Sequence, residues 1–234
     1  MSAHHIVSSF DEDLKFLEEK ITAMWVSCSS MLERAVTSVL DGNKALADEI
    51  INEDLTVDQT DRYITEKVVA IIAKRQPMAI DLRELVGTIR ISNDLERVGD
   101  MALSIAKRTK TISTVSYPSS LHCGLGAYFS LVLEQLKEGA ETYKNRSLEK
   151  ILALYMRDDE IDGNYTTVFR DLLTYMMEDP RNITPCTDLL FCAKNLERVG
   201  DHVTNIAETL HYIVTGDYMP IERLTDSLKN QKEI

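Results

Sequence analysis

The sequence predicts an all-α protein made of two tandem three-helix bundles, six long helices in all. Three observations carry that prediction: apolar residues recur at three- and four-residue spacing over long runs, turn residues are scarce, and one structural plan is written twice. Only nine Gly and five Pro are spread over 234 residues, too few to punctuate the short strands and tight turns of an all-β fold. With 44% hydrophobic and 27% charged residues, the composition is that of a folded globular chain rather than a disordered one.

The first helix is expected from about Phe10 to Leu40, with Leu14, Leu17, Ile21, Met24, Met31, Ala35 and Val39 along one face, and Asp41-Gly42-Asn43 ends it. A second runs from Lys44 through Ile50, Leu55, Ile64, Val68 and Ile71 to Gln76-Pro77, and a third from near Ala79 past Ile105. The pattern fades between Thr109 and Ser120, where Tyr117-Pro118 marks a linker, because a residue before proline is pushed away from helical dihedrals. From His122 the plan recurs: a helix to about Tyr143, a break at Asn145-Arg146-Ser147, a helix to about Met177, and a third from about Ile183 to Val214, with Pro180 and Pro185 bracketing the last hairpin. Helices of about 30 residues, roughly 45 Å long, suit elongated antiparallel bundles. The repeats are set at residues 8–112 and 121–216, with 217–234 as a polar tail.

The duplication reaches individual residues. Asp54 and Asp58 match Asp158 and Asp162 at an offset of 104, and Glu96 and Asp100 match Glu197 and Asp201 at an offset of 101. The latter positions lie in a hexapeptide, Leu-Glu-Arg-Val-Gly-Asp, that occupies Leu95–Asp100 and again Leu196–Asp201.

Several function classes are excluded. A formal charge of −12 repels a phosphate backbone, and no long Lys/Arg run offsets it, so nucleic acid is not a partner. Cys28, Cys123, Cys186 and Cys192 form no C-x-x-C and have no histidine at zinc-ligand spacing; they read as small buried residues in a reducing compartment. No apolar run approaches the length of a membrane span, so a cytoplasmic location is expected. A Gly-x-x-x-x-Gly-Lys phosphate loop is absent.

Chemistry concentrates in four acidic pairs: Asp54/Asp58, Glu96/Asp100, Asp158/Asp162 and Glu197/Asp201. Spacing of four puts both carboxylates of a pair on one helix face, where like charges cost an isolated helix about 0.2–0.5 kcal/mol. A bound divalent cation would offset that repulsion, and oxygen-only ligands suit Mg²⁺, Mn²⁺ or Ca²⁺ and can also hold iron. A solvated acidic face paired with Arg97 and Arg198, each three residues before an aspartate, is the favoured account of any single pair taken alone. Recurrence in both halves favours the cation. Gly99 and Gly200, each one residue before a motif aspartate, point to close helix approach, since glycine inside a helix costs about 1 kcal/mol relative to alanine. Gly163, directly after Asp162, is expected to loosen the second cluster. His202 and His211 lack the Glu-x-x-His spacing of ferritin-like sites and read as hydrogen-bonded side chains. Arg83, Arg90 and Arg97 recur every seven residues as an exposed, salt-bridged strip or a docking surface, and the Met and Tyr residues, Tyr175-Met176-Met177 among them, read as core filling.

Ala73-Lys74-Arg75-Gln76-Pro77 with Asp81-Leu82-Arg83, the segment Leu173–Asp179, Leu190-Phe191-Cys192-Ala193 and the two hexapeptides together resemble the PhoU family, over residues from about 8 to about 218. The resemblance implies paired three-helix bundles, often homodimeric, with metal clusters on the acidic faces; Asp54, Asp58, Glu96, Asp100, Asp158, Asp162, Glu197 and Asp201 are then the ligands of divalent or transition metal ions (Mg, Mn, Fe, Zn or Ca). It also implies a non-enzymatic negative regulator of the phosphate-starvation response, meeting the phosphate transporter's ATPase subunit and a sensor histidine kinase, with membrane association only through those partners. A metal-dependent phosphohydrolase and a metal-free helical scaffold remain as rival readings.

Overall fold

The computed structural model describes the backbone of residues 2–111 and 119–219, and side chains from 10–111 and 124–219. Seven α-helices follow one another: α1 (Ser2–Asp41), α2 (Lys44–Arg75), α3 (Ile80–Thr111), α4 (Ser119–Asn145), α5 (Leu148–Met156), α6 (Asp158–Glu178) and α7 (Ile183–Thr215), with a 3₁₀ turn at Pro180–Asn182. The described residues contain no strand. The linker expected at Tyr117-Pro118 and the tail from residue 220 lie outside the described residues.

Helix ends fall where the turn chemistry puts them. Asn43 caps α2, its side chain accepting from the Leu46 N–H at 3.1 Å. Gln76 closes α2 in the left-handed region at φ 52, its N–H donating to the Ile72 carbonyl. Pro185 sits in the first turn of α7 rather than before it, a position where the missing N–H has no intrahelical partner to lose.

One expectation needs correction. The second helix of the second half is not continuous to Met177: it breaks at Arg157, where the N–H reaches back to the Leu154 carbonyl at 3.3 Å and α6 starts afresh at Asp158. Two forces hold the break. Arg157 is gripped by Glu134 at 2.7 Å, by Glu138 and by Glu160 at 3.6 Å. Asp158, Asp159 and Glu160 meanwhile fill the first turn of α6, where the helix dipole favours negative charge. Gly163, by contrast, leaves α6 uninterrupted.

Within each half the first and third helices run parallel and the middle helix returns between them. The Cys28 thiol on α1 contacts the Leu95 carbonyl on α3 at 3.2 Å, and in the second half Gln135 and Gly139 on α4 lie against Gly200 and Val203 on α7. The burial pattern of α1 repeats in α4 at an offset of 104: Ile21, Met24, Met31, Leu32 and Val39 are buried, as are Leu125, Tyr128, Gln135, Leu136 and Tyr143.

The halves join along α3 and α7, which run antiparallel: Asp94 meets His202 at 2.9 Å, Arg108 meets Asp188 at 3.3 Å, and Arg83 packs on Gly216. A single apolar core runs through both halves. Because α3 and α7 cross at mid-length, Glu96 and Asp100 sit level with Asp201 and Glu197, and the two acidic motifs flank one waist.

Candidate metal centre

Each acidic motif spans two helices that are pulled together by a missing side chain. A Cβ on Gly99 would lie 3.3 Å from Cγ1 of Val57, and one on Gly200 would lie 3.0 Å from Cγ2 of Ile161. Val57 and Ile161 are equivalent residues, each directly before a motif aspartate. Glycine therefore lets the middle helix of each half press its apolar side against the third helix, so that neighbouring carboxylates meet at the rim.

In the second half, carboxylate oxygens of Asp162, Glu197 and Asp201 lie within 4.8 Å of one another. Asp158 is adjacent but engaged, accepting a 3.0 Å hydrogen bond from Thr204 Oγ1. In the first half Asp54 faces Asp58 and Asp100, while Glu96 faces Asp100, Asp58 and Asp61. Those oxygens do not gather to the same spacing among the described residues. All eight sequence-derived carboxylates thus belong to two interhelical groups, and three of them form the tighter set.

The electrostatics are unfavourable in both groups. Burial, and then the surrounding carboxylates, raise the pKa of Asp54, Glu96, Asp162 and Asp201 above the ordinary range; Asp158 is also raised, although Thr204 works against it. Cationic side chains answer only part of this charge. Arg97 reaches Asp100 at 2.8 Å and Glu96 at 3.3 Å, as the spacing suggested. In the second half the partner is Lys194, paired with Glu197, while Arg198 is exposed and makes no ion pair among the described residues.

Whether these residues suit a cation is tested by their unused lone pairs. Glu96 Oε2 and Glu197 Oε2 are both buried and accept no hydrogen bond among the described residues, although Arg97 Nε makes a 3.3 Å ion-pair contact with Glu96 Oε2. They are equivalent atoms of the duplicated motif. A buried carboxylate oxygen that accepts no hydrogen bond is costly, and the donor set is oxygen throughout, so a hard divalent cation fits both places.

Three participants escaped sequence reasoning. Asp61 extends the Asp54/Asp58 row by one turn and accepts from Ser92 Oγ at 2.6 Å; its seven-residue spacing from Asp54 was the available signal. Lys194, rather than Arg198, is the cation that turns toward the second group of acids. Tyr128, on α4, is buried with an unpartnered hydroxyl, which periodicity alone cannot reveal. The arginine strip divides: Arg97 joins the acids, Arg83 packs on Gly216, and Arg90 is exposed. His202 contacts Asp94, and His211 Nδ1 lies 3.0 Å from the Asp217 carbonyl oxygen. Cys28, Cys186 and Cys192 are buried free thiols; Cys123 lies outside the described side chains. No helix among the described residues is long and apolar enough to cross a membrane.

Comparison with known proteins agrees with this duplicated architecture. A family model described as the PhoU domain matches residues 21–109 and again 127–210. A phosphate-specific transport system accessory protein PhoU homolog from Rhizobium meliloti is 50% identical over 228 residues, covering 97% of this chain and 96% of the relative. A protein of the same description from Caulobacter vibrioides is 39% identical over 219 residues, covering 94% and 95% respectively. The crystal structure of PhoU from Pseudomonas aeruginosa superposes with a TM-score of 0.84 at 31% identity, over 89% of this chain and 100% of that one. That of the phosphate transport system regulatory protein PhoU from Streptococcus pneumoniae gives 0.83 at 25% identity, over 91% and 100%. With its family model matched twice and half its residues shared with a full-length relative, this chain belongs to the PhoU family.

Proposed function

We propose that this protein is a cytoplasmic, non-enzymatic accessory regulator of phosphate uptake, whose two acidic clusters bind divalent cations. The observation that carries the cation reading is the recurrence, at equivalent places in both halves, of one buried glutamate oxygen that accepts no hydrogen bond among the described residues, Glu96 Oε2, which has a 3.3 Å ion-pair contact with Arg97 Nε, and Glu197 Oε2. The regulatory reading rests on relatives of nearly equal length described as accessory proteins of phosphate-specific transport. A bound cation would supply the positive charge that lets carboxylates from two helices converge. The chain's own contribution is to orient those carboxylates: Gly99 and Gly200 set the helix separation, Thr204 steadies Asp158, and Arg97 and Lys194 neutralise part of the charge.

In this reading the protein meets the transporter's ATPase subunit and a sensor histidine kinase, acts as a homodimer, and keeps the starvation response off when phosphate is abundant. Deletion of the gene followed by measurement of phosphate-responsive transcription in excess phosphate tests the regulatory part; transcription that stays repressed overturns it. Elemental analysis of purified protein tests the cation part. Wild-type protein is expected to carry or take up divalent metal, and the Asp54→Ala, Asp58→Ala, Asp100→Ala triple variant to lose the first site; metal content unchanged by those substitutions overturns the assignment. Sedimentation of the full chain tests the dimer.

A further inference from the structure

The two halves differ in chemistry on the inner face of their first helices. At the positions where α1 buries Met24 and Met31, α4 buries Tyr128 and Gln135. The exchange puts polar atoms where the first half has thioethers, and those atoms go unanswered. Seven buried side-chain polar atoms lack a hydrogen-bond partner among the described residues, and four of them belong to Tyr128, Gln135 and Glu197. Tyr128 is 2% exposed and Gln135 0%, so solvent satisfies neither, and an unpaired polar group in that setting needs an explanation.

Their location supplies one. Tyr128 and Gln135 are seven residues apart on α4 and therefore share a face. Gln135 Oε1 lies 3.5 Å from where a Cβ on Gly200 would stand, which fixes that face against α7 at the residue before Asp201. Two turns earlier along α4, which runs parallel to α7, Tyr128 comes level with the turn that precedes Glu197. Burial pushes its phenol far up, and the carboxylates that act on it are Glu197 first, then Asp162 and Asp201. These are the three residues whose oxygens gather within 4.8 Å. Glu197 divides its two oxygens: Oε1 takes Lys194, and Oε2 is buried and empty-handed.

We infer that Tyr128 is a positioning residue for the second carboxylate cluster, its hydroxyl reaching Glu197 Oε2 through one buried water and so fixing this carboxylate for a divalent cation. The inference rests on the cation reading above and adds that the two sites are unequal: the second has a hydrogen-bonding support behind a ligand, and the first has Met24 in its place. Supports of this kind typically change metal affinity by about 10–100-fold, and a buried bridging water is admissible where several polar groups converge.

The test uses full-length protein and Mn²⁺ as the probe, titrated by calorimetry. Second-site binding is isolated in the Asp54→Ala, Asp58→Ala, Asp100→Ala background, and first-site binding in the Asp158→Ala, Asp162→Ala, Asp201→Ala background. Tyr128→Phe, which removes one oxygen, is expected to weaken second-site binding at least about tenfold and to leave first-site binding unchanged. Tyr128→Phe should lower the melting temperature more in Mn²⁺ than in chelator, because weaker binding returns less stability to the folded state; a merely structural tyrosine would lower it equally in both and leave affinity alone. Combining Tyr128→Phe with Glu197→Gln should cost less than the two losses added together, since both act on one hydrogen-bonded bridge. Second-site affinity untouched by Tyr128→Phe, or equal weakening at both sites, overturns the inference alone. Wild-type protein that takes up no Mn²⁺ overturns the cation reading with it.

Discussion

Trp25 Nε1 donates to the Leu136 carbonyl at 2.8 Å, a hydrogen bond that crosses 111 residues and ties the first helix of one half to the first helix of the other. The indole is 1% exposed, packs 6.1 Å from the Tyr143 ring, and fills space that Gly139 leaves open. It is also the sole tryptophan of the chain, so its fluorescence reports on this seam. Trp25→Phe removes the bond and part of the packing and is expected to cost about 1–3 kcal/mol. Denaturant titration should show Trp fluorescence and circular dichroism of the wild type falling together, as one core through both halves requires.

The close approaches at glycine set a rank order. An alanine Cβ would stand 2.7 Å from Trp25 at Gly139, 3.0 Å from Ile161 at Gly200 and 3.3 Å from Val57 at Gly99. Overpacking costs about 1–3 kcal/mol, while alanine returns about 1 kcal/mol of helix propensity. Gly139→Ala is therefore expected to be clearly destabilising, Gly200→Ala moderately so, and Gly99→Ala close to neutral. Melting temperatures of the three variants check the order.

Acid should stabilise the metal-free protein. Asp54, Glu96, Asp158, Asp162 and Asp201 have native pKa values raised by burial and by one another, so the native state binds protons more tightly than the unfolded chain. Their contribution is fully present below the unfolded values and is lost as pH rises through the raised native ones. Asp13 runs the other way: burial opposes ionisation, but Lys67 and Arg75 prevail and lower its pKa, so its contribution is lost only as pH falls through the lowered value. Melting in chelator should thus improve from neutral to mildly acidic buffer, and added Mn²⁺ should reduce the difference. A melting temperature in chelator that falls steadily on mild acidification contradicts this account.

Arg157 holds the joint between α5 and α6 against three glutamates. Arg157→Ala leaves Glu134, Glu138 and Glu160 without their cation and is expected to cost about 1–2 kcal/mol. The loss should shrink in high salt, which screens the repulsion left behind.

Burial pushes the Cys28 and Cys192 thiols up to about 12, and Cys186 is shifted in the same direction. All three should stay unmodified when folded protein is treated with an alkylating reagent and react once it is unfolded, because the thiolate is the nucleophile. Mass spectrometry of digested samples reads the difference site by site.

Much of the architecture was legible because it depends on local rules. The helix ends at Asp41-Gly42-Asn43 and Gln76-Pro77 follow from turn chemistry; four of the eight carboxylates lie in a repeated hexapeptide, and the other four form two Asp-x-x-x-Asp pairs at a matching offset. The break at Arg157 was not legible. Buried Ile151, Leu154 and Ile161 continue a helical period across it, and two of the three glutamates that grip Arg157, Glu134 and Glu138, arrive from α4 only once the chain has folded. Lys194 and Arg198 present the same i,i+3 spacing to Glu197 and Asp201, and nothing local says that Lys194 is the one that turns inward. Tyr128 shows the same limit, since a buried aromatic at helical spacing looks identical whether or not its hydroxyl is answered.

The antiparallel crossing of α3 and α7 has a consequence for stoichiometry. A half-turn about an axis through that crossing carries one flank of the chain nearly onto the other. A molecule that recognised only features shared by the two flanks would find a second berth on the opposite side, facing the reverse way along the helices. Asn93 against Lys194 and Arg90 against Phe191 are among the exposed positions where the two flanks differ.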